Sequence, residues 1–290
     1  MSNQASEAHV QEYTTRTEHL LQQYGSKLFS KARQASYTGK AAQVVQQYGA
    51  VEAQEIVNRH ADTVLTNTPQ TSRWIRPSDW GVADMVDDED LIRSLTDPKS
   101  DFAMAQVNGL GRKQDDLFIE AALGSNFTGE DGGTSVTASA DGVLTVLVNS
   151  SGLTIDKMRE VRENFAAAEV DLDREMLYWA ITSAQEDDLL GIPEYQSIDY
   201  NASRTLVDGK IRPFMGFNFV RCERLGVDGS ADTRTIAWAA SGIVAGTWNG
   251  ISTQVAPRPD KWNNIQVATK GTFGVTRTEG AKVQEILCTP

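Results

Sequence analysis

The sequence has 290 residues but only two cysteines, Cys222 and Cys288, with no CxxC pair and no histidine near either. A disulfide scaffold needs a set of spaced cysteines and a zinc site needs clustered soft ligands, so both are excluded. Each cysteine reads as a small apolar residue buried in a strand. The three histidines, His9, His19 and His60, all fall in the first 60 residues. That part of the chain has no core of its own, and a general base must be held by a rigid scaffold, so no catalytic histidine is expected. HExxH, GxSxG and P-loop patterns are missing. Gly109, Leu110 and Gly111 open like a dinucleotide fingerprint, but no strand precedes them and the third glycine is lacking.

Long apolar runs are missing as well. The longest in the second half, 236–244, is broken by Ser241 and Gly242, well short of the roughly 20 residues that cross a bilayer. The first ten residues are polar and acidic, unlike the basic flank of a secretory signal. The reading is a soluble protein made in a cytoplasm, with no membrane partner. No period of about 20 to 50 residues repeats, which excludes solenoids and propellers.

Positive charge is also short: 27 Lys and Arg against 39 Asp and Glu give a net charge of −12. A free-standing nucleic-acid reader concentrates cations, so that class is disfavoured. The charge is unevenly divided. Residues 1–40 hold three acids and five bases, whereas 79–101 hold eight acids against Arg93 and Lys99. This acidic run lacks the residue order of an EF-hand and reads as a solvated surface. Other acids cluster at Glu169, Asp171, Asp173 and Glu175 and again at 186–188. A hydrolase could use such pairs, but clusters arise without catalytic cause in a chain this acidic. The six tryptophans are scattered singly, which suits packing and interfaces.

What is present has a clear order along the chain. Val10, Tyr13, Thr17, Leu20, Leu21 and Tyr24 recur at near-helical spacing inside a polar arm. They predict a short amphipathic helix, ending before Gly25, that needs a partner to dock on. From 37 to 86 the runs Ala42–Tyr48, 51–57 and 73–75 alternate with turn residues such as Gly39, Gly49, Pro69 and Pro77. A β-rich excursion of about 45 residues exceeds the length of ordinary loops and implies contact with another chain. Asp97 as N-cap and Pro98 in the first turn then predict a helix over Lys99–Leu123, roughly 40 Å long. Gly109 and Gly111 predict a bend in it.

Residues 124–152 read as loop with a strand at 143–148. Thr154 caps a helix carrying Ile155, Met158, Val161 and Phe165, and a second helix is expected at 173–185. Strands are expected at 210–222, Thr233–Ala239, 251–255, 265–275 and 282–287. The fold class is therefore α+β.

Three groups of residues carry a family resemblance. The first is Gly49 to Glu55, Arg59 to Thr63, Asn67 to Pro69, and Arg73 with Trp74. The second is Asp79 to Asp90 with Leu91 to Arg93, Asp97 and Pro98, Leu110 to Arg112, Asp115 and Asp116, and Ala121 to Gly124. The third is Lys210 to Phe217, Pro259 to Lys261, and Lys282 to Cys288. In this order and spacing they resemble the major capsid proteins of tailed phages with the HK97-like fold, over about residues 37–288.

The resemblance implies an N-terminal arm at 1–37 and an extended loop (E-loop) at 38–85. It implies a peripheral (P) domain with a long spine helix at 86–124 and 257–290, and an axial (A) domain at 125–256. The implied function is a shell protein of a tailed double-stranded DNA bacteriophage, self-assembling into hexamers and pentamers of an icosahedral head. Its place would be the virion, after assembly in the host bacterial cytoplasm. Its partners would be other copies, a portal, scaffolding or decoration proteins, and packaged double-stranded DNA held non-specifically. The alternative is an encapsulin-like nanocompartment shell. No enzymatic activity, cofactor or metal is implied.

Contact candidates between subunits are Arg59, Arg73, Trp74, Arg76 and Trp80, with Asp87, Asp88 and Asp90 as acidic counterparts on a neighbour. Some relatives join subunits covalently through a loop lysine and a neighbour's asparagine. No lysine lies between Lys40 and Lys99 here, so no such bond is expected.

Overall fold

The computed structural model describes residues 22–53, 55, 62, 65–86, 99–148, 151–192 and 213–289. The arm before residue 22, the three histidines, Arg59, Asp87, Asp88, Asp90 and the Asp97–Pro98 cap lie outside the described residues.

The described chain opens with a root ending in a 3₁₀ turn at Phe29–Lys31, followed by β1 (Arg33–Ser36), β2 (Ala42–Tyr48), β3 (Gln70–Ile75) and β4 (Ser78–Val86). Helix α1 (Lys99–Leu123) comes next, then β5 (Asn126–Thr128), β6 (Thr134–Val136), β7 (Leu144–Val146) and α2 (Ile155–Ala167). The rest is β8 (Leu177–Ile181), α3 (Ser183–Gly191), β9 (Phe217–Arg221), β10 (Thr233–Ala239), β11 (Ile243–Pro257), β12 (Ile265–Arg277) and β13 (Val283–Cys288).

A mixed five-stranded sheet, β7-β13-β10-β8-β9, forms the centre. Both of its faces are buried. On one side Trp179, Ile181, Ala237 and Ile286 pack on Met158, Val161 and Phe165 of α2. On the other, Tyr178, Ala180, Ile236 and Trp238 meet Phe118 of α1 and the root residues Leu28 and Phe29. Burying a ring such as Phe118, which is fully covered, contributes roughly 1.5–3 kcal/mol.

This double burial corrects the helix expected at 173–185. Leu177–Ile181 is a strand, and the helix begins only at Ser183. A strand covered on both faces loses its apolar–polar alternation, and a short continuous apolar run fits either period. Thr182 supplies the break, forming a capping box with Gln185. Thr154 caps α2 as expected, its side chain accepting from the Lys157 N–H.

The second sheet, β1-β11-β12-β4, carries α1 along one face. Gln106 fixes the packing: its amide donates to Asp84 and to the Val267 carbonyl, both at 3.0 Å, and accepts from Thr269 at 2.9 Å. The strands expected at 251–255 and 265–275 are longer than their apolar cores and form one hairpin. Residues 78–85, read above as part of the loop, belong instead to β4, which pairs with β12 from Val86↔Ile265 to Ser78↔Phe273. Its acids Asp79 and Asp84 suit an edge strand. The 210–222 expectation reduces to β9 among the described residues, and 51–53 form no strand.

In the third sheet, β2-β3-β5-β6, the β2–β3 hairpin pairs with β5 at Arg73↔Thr128 and Trp74↔Phe127, and Ile75 at its base is buried. Strand β13 lies in the central sheet, between β7 and β10, rather than beside β12.

Candidate functional site: the arm seat and the loop root

Two segments of the described chain, the arm root at 22–32 and the β2–β3 hairpin, are each tied to this body by a compact polar cluster. The first cluster holds the arm against α1. Asp115 is fully buried, and its carboxylate accepts from Gln23 Nε2 at 2.5 Å, Ser26 Oγ at 2.5 Å, Lys27 N at 3.0 Å and Leu28 N at 2.9 Å. These donors satisfy a charge that burial would otherwise make costly. Ser26 Oγ accepts in turn from Phe29 N at 3.1 Å, starting the 3₁₀ turn. Arg112 Nη1 donates to Gln22 Oε1 at 2.8 Å, and Gly25 N donates to Asn108 Oδ1 at 3.1 Å.

Gly111 allows this approach. A Cβ there would sit 2.5 Å from the Gly25 carbonyl carbon, so the two backbones touch where α1 and the root cross. Gly111 makes room for the arm root, and α1 is helical throughout from Lys99 to Leu123.

The second cluster holds the β2–β3 hairpin. Arg73 Nη2 donates to Asp141 Oδ1 at 2.5 Å and its Nε to Gln47 Oε1 at 3.1 Å. Trp74 Nε1 donates to the Gly129 carbonyl at 2.7 Å. Arg76 Nη2 donates to the Gly132 carbonyl at 2.8 Å, and its guanidinium lies 3.9 Å from the Phe127 ring centroid. Across the hairpin, Gln47 Nε2 donates to the Thr278 carbonyl at 2.9 Å.

Asp141 is shared. Its other oxygen accepts from Arg277 Nε at 2.8 Å. Arg277 Nη1 reaches the carbonyls of Ala121, Ala122 and Gly124 at 3.1, 2.8 and 3.4 Å, the C-terminal end of α1. A cation there complements the helix dipole. Burial lowers the Arg277 pKa and Asp141 acts against it.

Sequence reasoning selected Arg73, Trp74 and Arg76, and the structure brings these three together at the loop root. It places them in contacts within the chain: Arg73 is spent on Asp141, while Arg76 stays exposed. Trp80 stands apart, half-buried beside the central core under α1, with the Lys113 ammonium 4.3 Å from its ring centroid. Asp115, Asp141 and Arg277 were not selected. Their partners lie 87 to 92 residues away for Asp115 and 68 and 136 for Asp141, and no local pattern announces such pairs.

Both cysteines are buried, and burial pushes the Cys288 thiol up to about 11. Lys157 donates to the carbonyls of Ser151, Gly152 and Leu287 at 2.7 to 2.9 Å, pinning the end of β13 to the start of α2. No described helix is long and apolar enough to cross a membrane.

A family model described as phage capsid protein matches residues 5–290. No curated protein sequence matches the chain. Among solved structures, one described as Mycobacterium phage Che8 superposes with a TM-score of 0.73 at 13% identity, covering 97% of this chain and 98% of that one. The Cyanophage Pam1 capsid asymmetric unit gives 0.75 at 11% identity over 98% of both chains. The capsid of Ralstonia phage GP4 gives 0.72 at 11% identity, over 100% of this chain and 98% of that one. Near-complete coverage at such low identity means that the fold is shared while the surfaces are this chain's own. The chain belongs to the phage capsid protein family, and its fold is the HK97-like fold of a major capsid protein.

Proposed function

We propose that this chain is the repeating subunit of an icosahedral head that encloses double-stranded DNA, assembling into hexamers and pentamers. The observation that carries this reading is the pair of anchored extensions. The root of the arm and the β2–β3 hairpin are each fixed to the body by a buried carboxylate. Such anchoring serves an extension whose far end must meet another molecule at a defined angle.

The body is best divided by sheet. The arm leads in to residue 37, the loop covers 38–77, and α1 with β1, β4, β11 and β12 forms the peripheral unit. The five-stranded sheet with α2 and α3 forms the axial unit and takes in β13. Contacts between copies run through the loop, with Arg59 and the exposed Arg76 facing acids such as Asp87, Asp88 and Asp90 of a neighbour. Trp74 and Arg73 contribute by holding the loop, and Trp80 by supporting α1.

The slightly basic arm and the acidic body suit loose, sequence-independent DNA enclosure. Assembly in a bacterial cytoplasm, together with a portal and scaffolding or decoration proteins, follows from the same reading, and no catalytic activity is part of it. The content of purified particles tests it. Closed particles that protect double-stranded DNA from nuclease are expected. Particles that hold protein cargo and no genome would identify a nanocompartment instead.

A further inference from the structure

Two guanidiniums share the Asp141 carboxylate, and the three members differ in how deeply they are held. The Arg277 side chain is 0% exposed, that of Asp141 3% and that of Arg73 12%. Arg277 spans the end of α1, so it cannot leave without opening the body. Asp141 is fixed too: its N–H donates to the Thr137 carbonyl at 3.0 Å, and its own carbonyl oxygen lies 2.1 Å from where a Cβ at Gly280 would sit. Arg73 is the one member carried on the β2–β3 hairpin, whose ladder to β5 has two residue pairs, with buried Ile75 and the bonds of Gln47, Trp74 and Arg76 beside it. With so short a ladder, the side-chain contacts at the base carry much of the hairpin's direction, and the Arg73–Asp141 pair is the charged one among them.

We propose that Asp141 is a positioning residue for assembly, setting through Arg73 the angle at which the β2–β3 hairpin leaves the body and coupling that angle through Arg277 to the C-terminal end of α1. This rests on the shell-subunit reading above. A hairpin that must cover a neighbour needs its angle fixed before the neighbour arrives, and a carboxylate already locked by a buried arginine provides a fixed point. The arrangement also assigns an order of release. Losing Arg73 leaves the Asp141–Arg277 pair and the α1 end intact. Losing Asp141 leaves two cations side by side, with Arg277 Nη2 already lacking a partner among the described residues.

Arg73→Gln is therefore the informative variant, with Arg73→Lys as its conservative companion. Hydrogen exchange is measured on the unassembled full-length chain, and shell yield and diameter are read by electron microscopy. In Arg73→Gln, amides of 42–48 and 70–75 are expected to exchange at least tenfold faster while those of 177–181 and 233–239 keep their rates. Closed shells of wild-type diameter are expected to fall severalfold, and Arg73→Lys to recover most of the loss. Unchanged exchange at the hairpin overturns the proposal. So does a rise of equal size in the central strands, which would make the contact one of general stability, and so do faster hairpin exchange with undiminished shells and failure of the lysine to rescue. If the wild-type chain forms no shells at all, the shell-subunit reading fails, while the exchange data still decide whether Asp141 and Arg73 hold the hairpin.

Discussion

Single side chains with no local signature fix the geometry of this chain. Asp115 gathers donors from four residues of the arm root onto a buried carboxylate. Hydrogen bonds to a charged group are worth about 1.5–3 kcal/mol each. Asp115→Asn keeps one acceptor oxygen but replaces the other with a donor that faces donors. Chemical denaturation is expected to show a loss of about 2–3 kcal/mol; a change below about 0.5 kcal/mol would mean that the seat is not formed. The cysteines give a second test at this scale. With both thiols buried and Cys288 pushed up to about 11, the reactive thiolate is scarce at pH 8. Native protein should resist a maleimide there, and denatured protein should take up two equivalents. Fast labelling of either cysteine in the native state would contradict the burial.

The α1 helix separates two glycines that look alike in sequence. At Gly109 an added Cβ would meet only Arg112 Nη2, at 3.6 Å, an ordinary contact. Ala is favoured over Gly in a helix by about 0.8–1 kcal/mol, so Gly109→Ala should raise stability by that order. At Gly111 the same methyl would press on the Gly25 backbone from 2.5 Å. Overpacking against backbone costs about 1–3 kcal/mol, enough to cancel the helical gain and displace the root. Gly111→Ala should therefore be cut faster by protease within 22–32, and Gly109→Ala should not. Equal protection in both would remove the arm seat from the account.

This contrast also marks what could be read in advance. The span of α1, the Thr154 cap and β10 were legible because caps, amphipathic spacing and β-branched content are local. Strand β8 was not, because burial on two faces erased the alternation that distinguishes a strand from a helix. Residues 78–85 were read into the loop because their partner, β12, lies almost 200 positions away at Thr272 for Asp79. Arg73, Trp74 and Arg76 were legible as important residues, but their partners Asp141, Gly129 and Gly132 were not, since side-chain pairing across folded chain leaves no periodic trace.

At the scale of the molecule, the net charge of −12 ruled out a sequence reader and left room for a container, which holds nucleic acid by enclosing it. Without a lysine between Lys40 and Lys99, the loop tip has no amine for a bond to a neighbour. Boiled particles should run on a denaturing gel as a single band at the chain mass of 31.7 kDa, and a ladder of covalent multimers would contradict that. The central claim, that this fold with its two anchored extensions is a shell subunit, is tested most directly by electron microscopy of the expressed full-length chain. Closed particles of uniform diameter, built from clusters of five and six, are expected. A folded chain that stays monomeric at high concentration, both alone and with the scaffolding protein the reading allows, would contradict that claim.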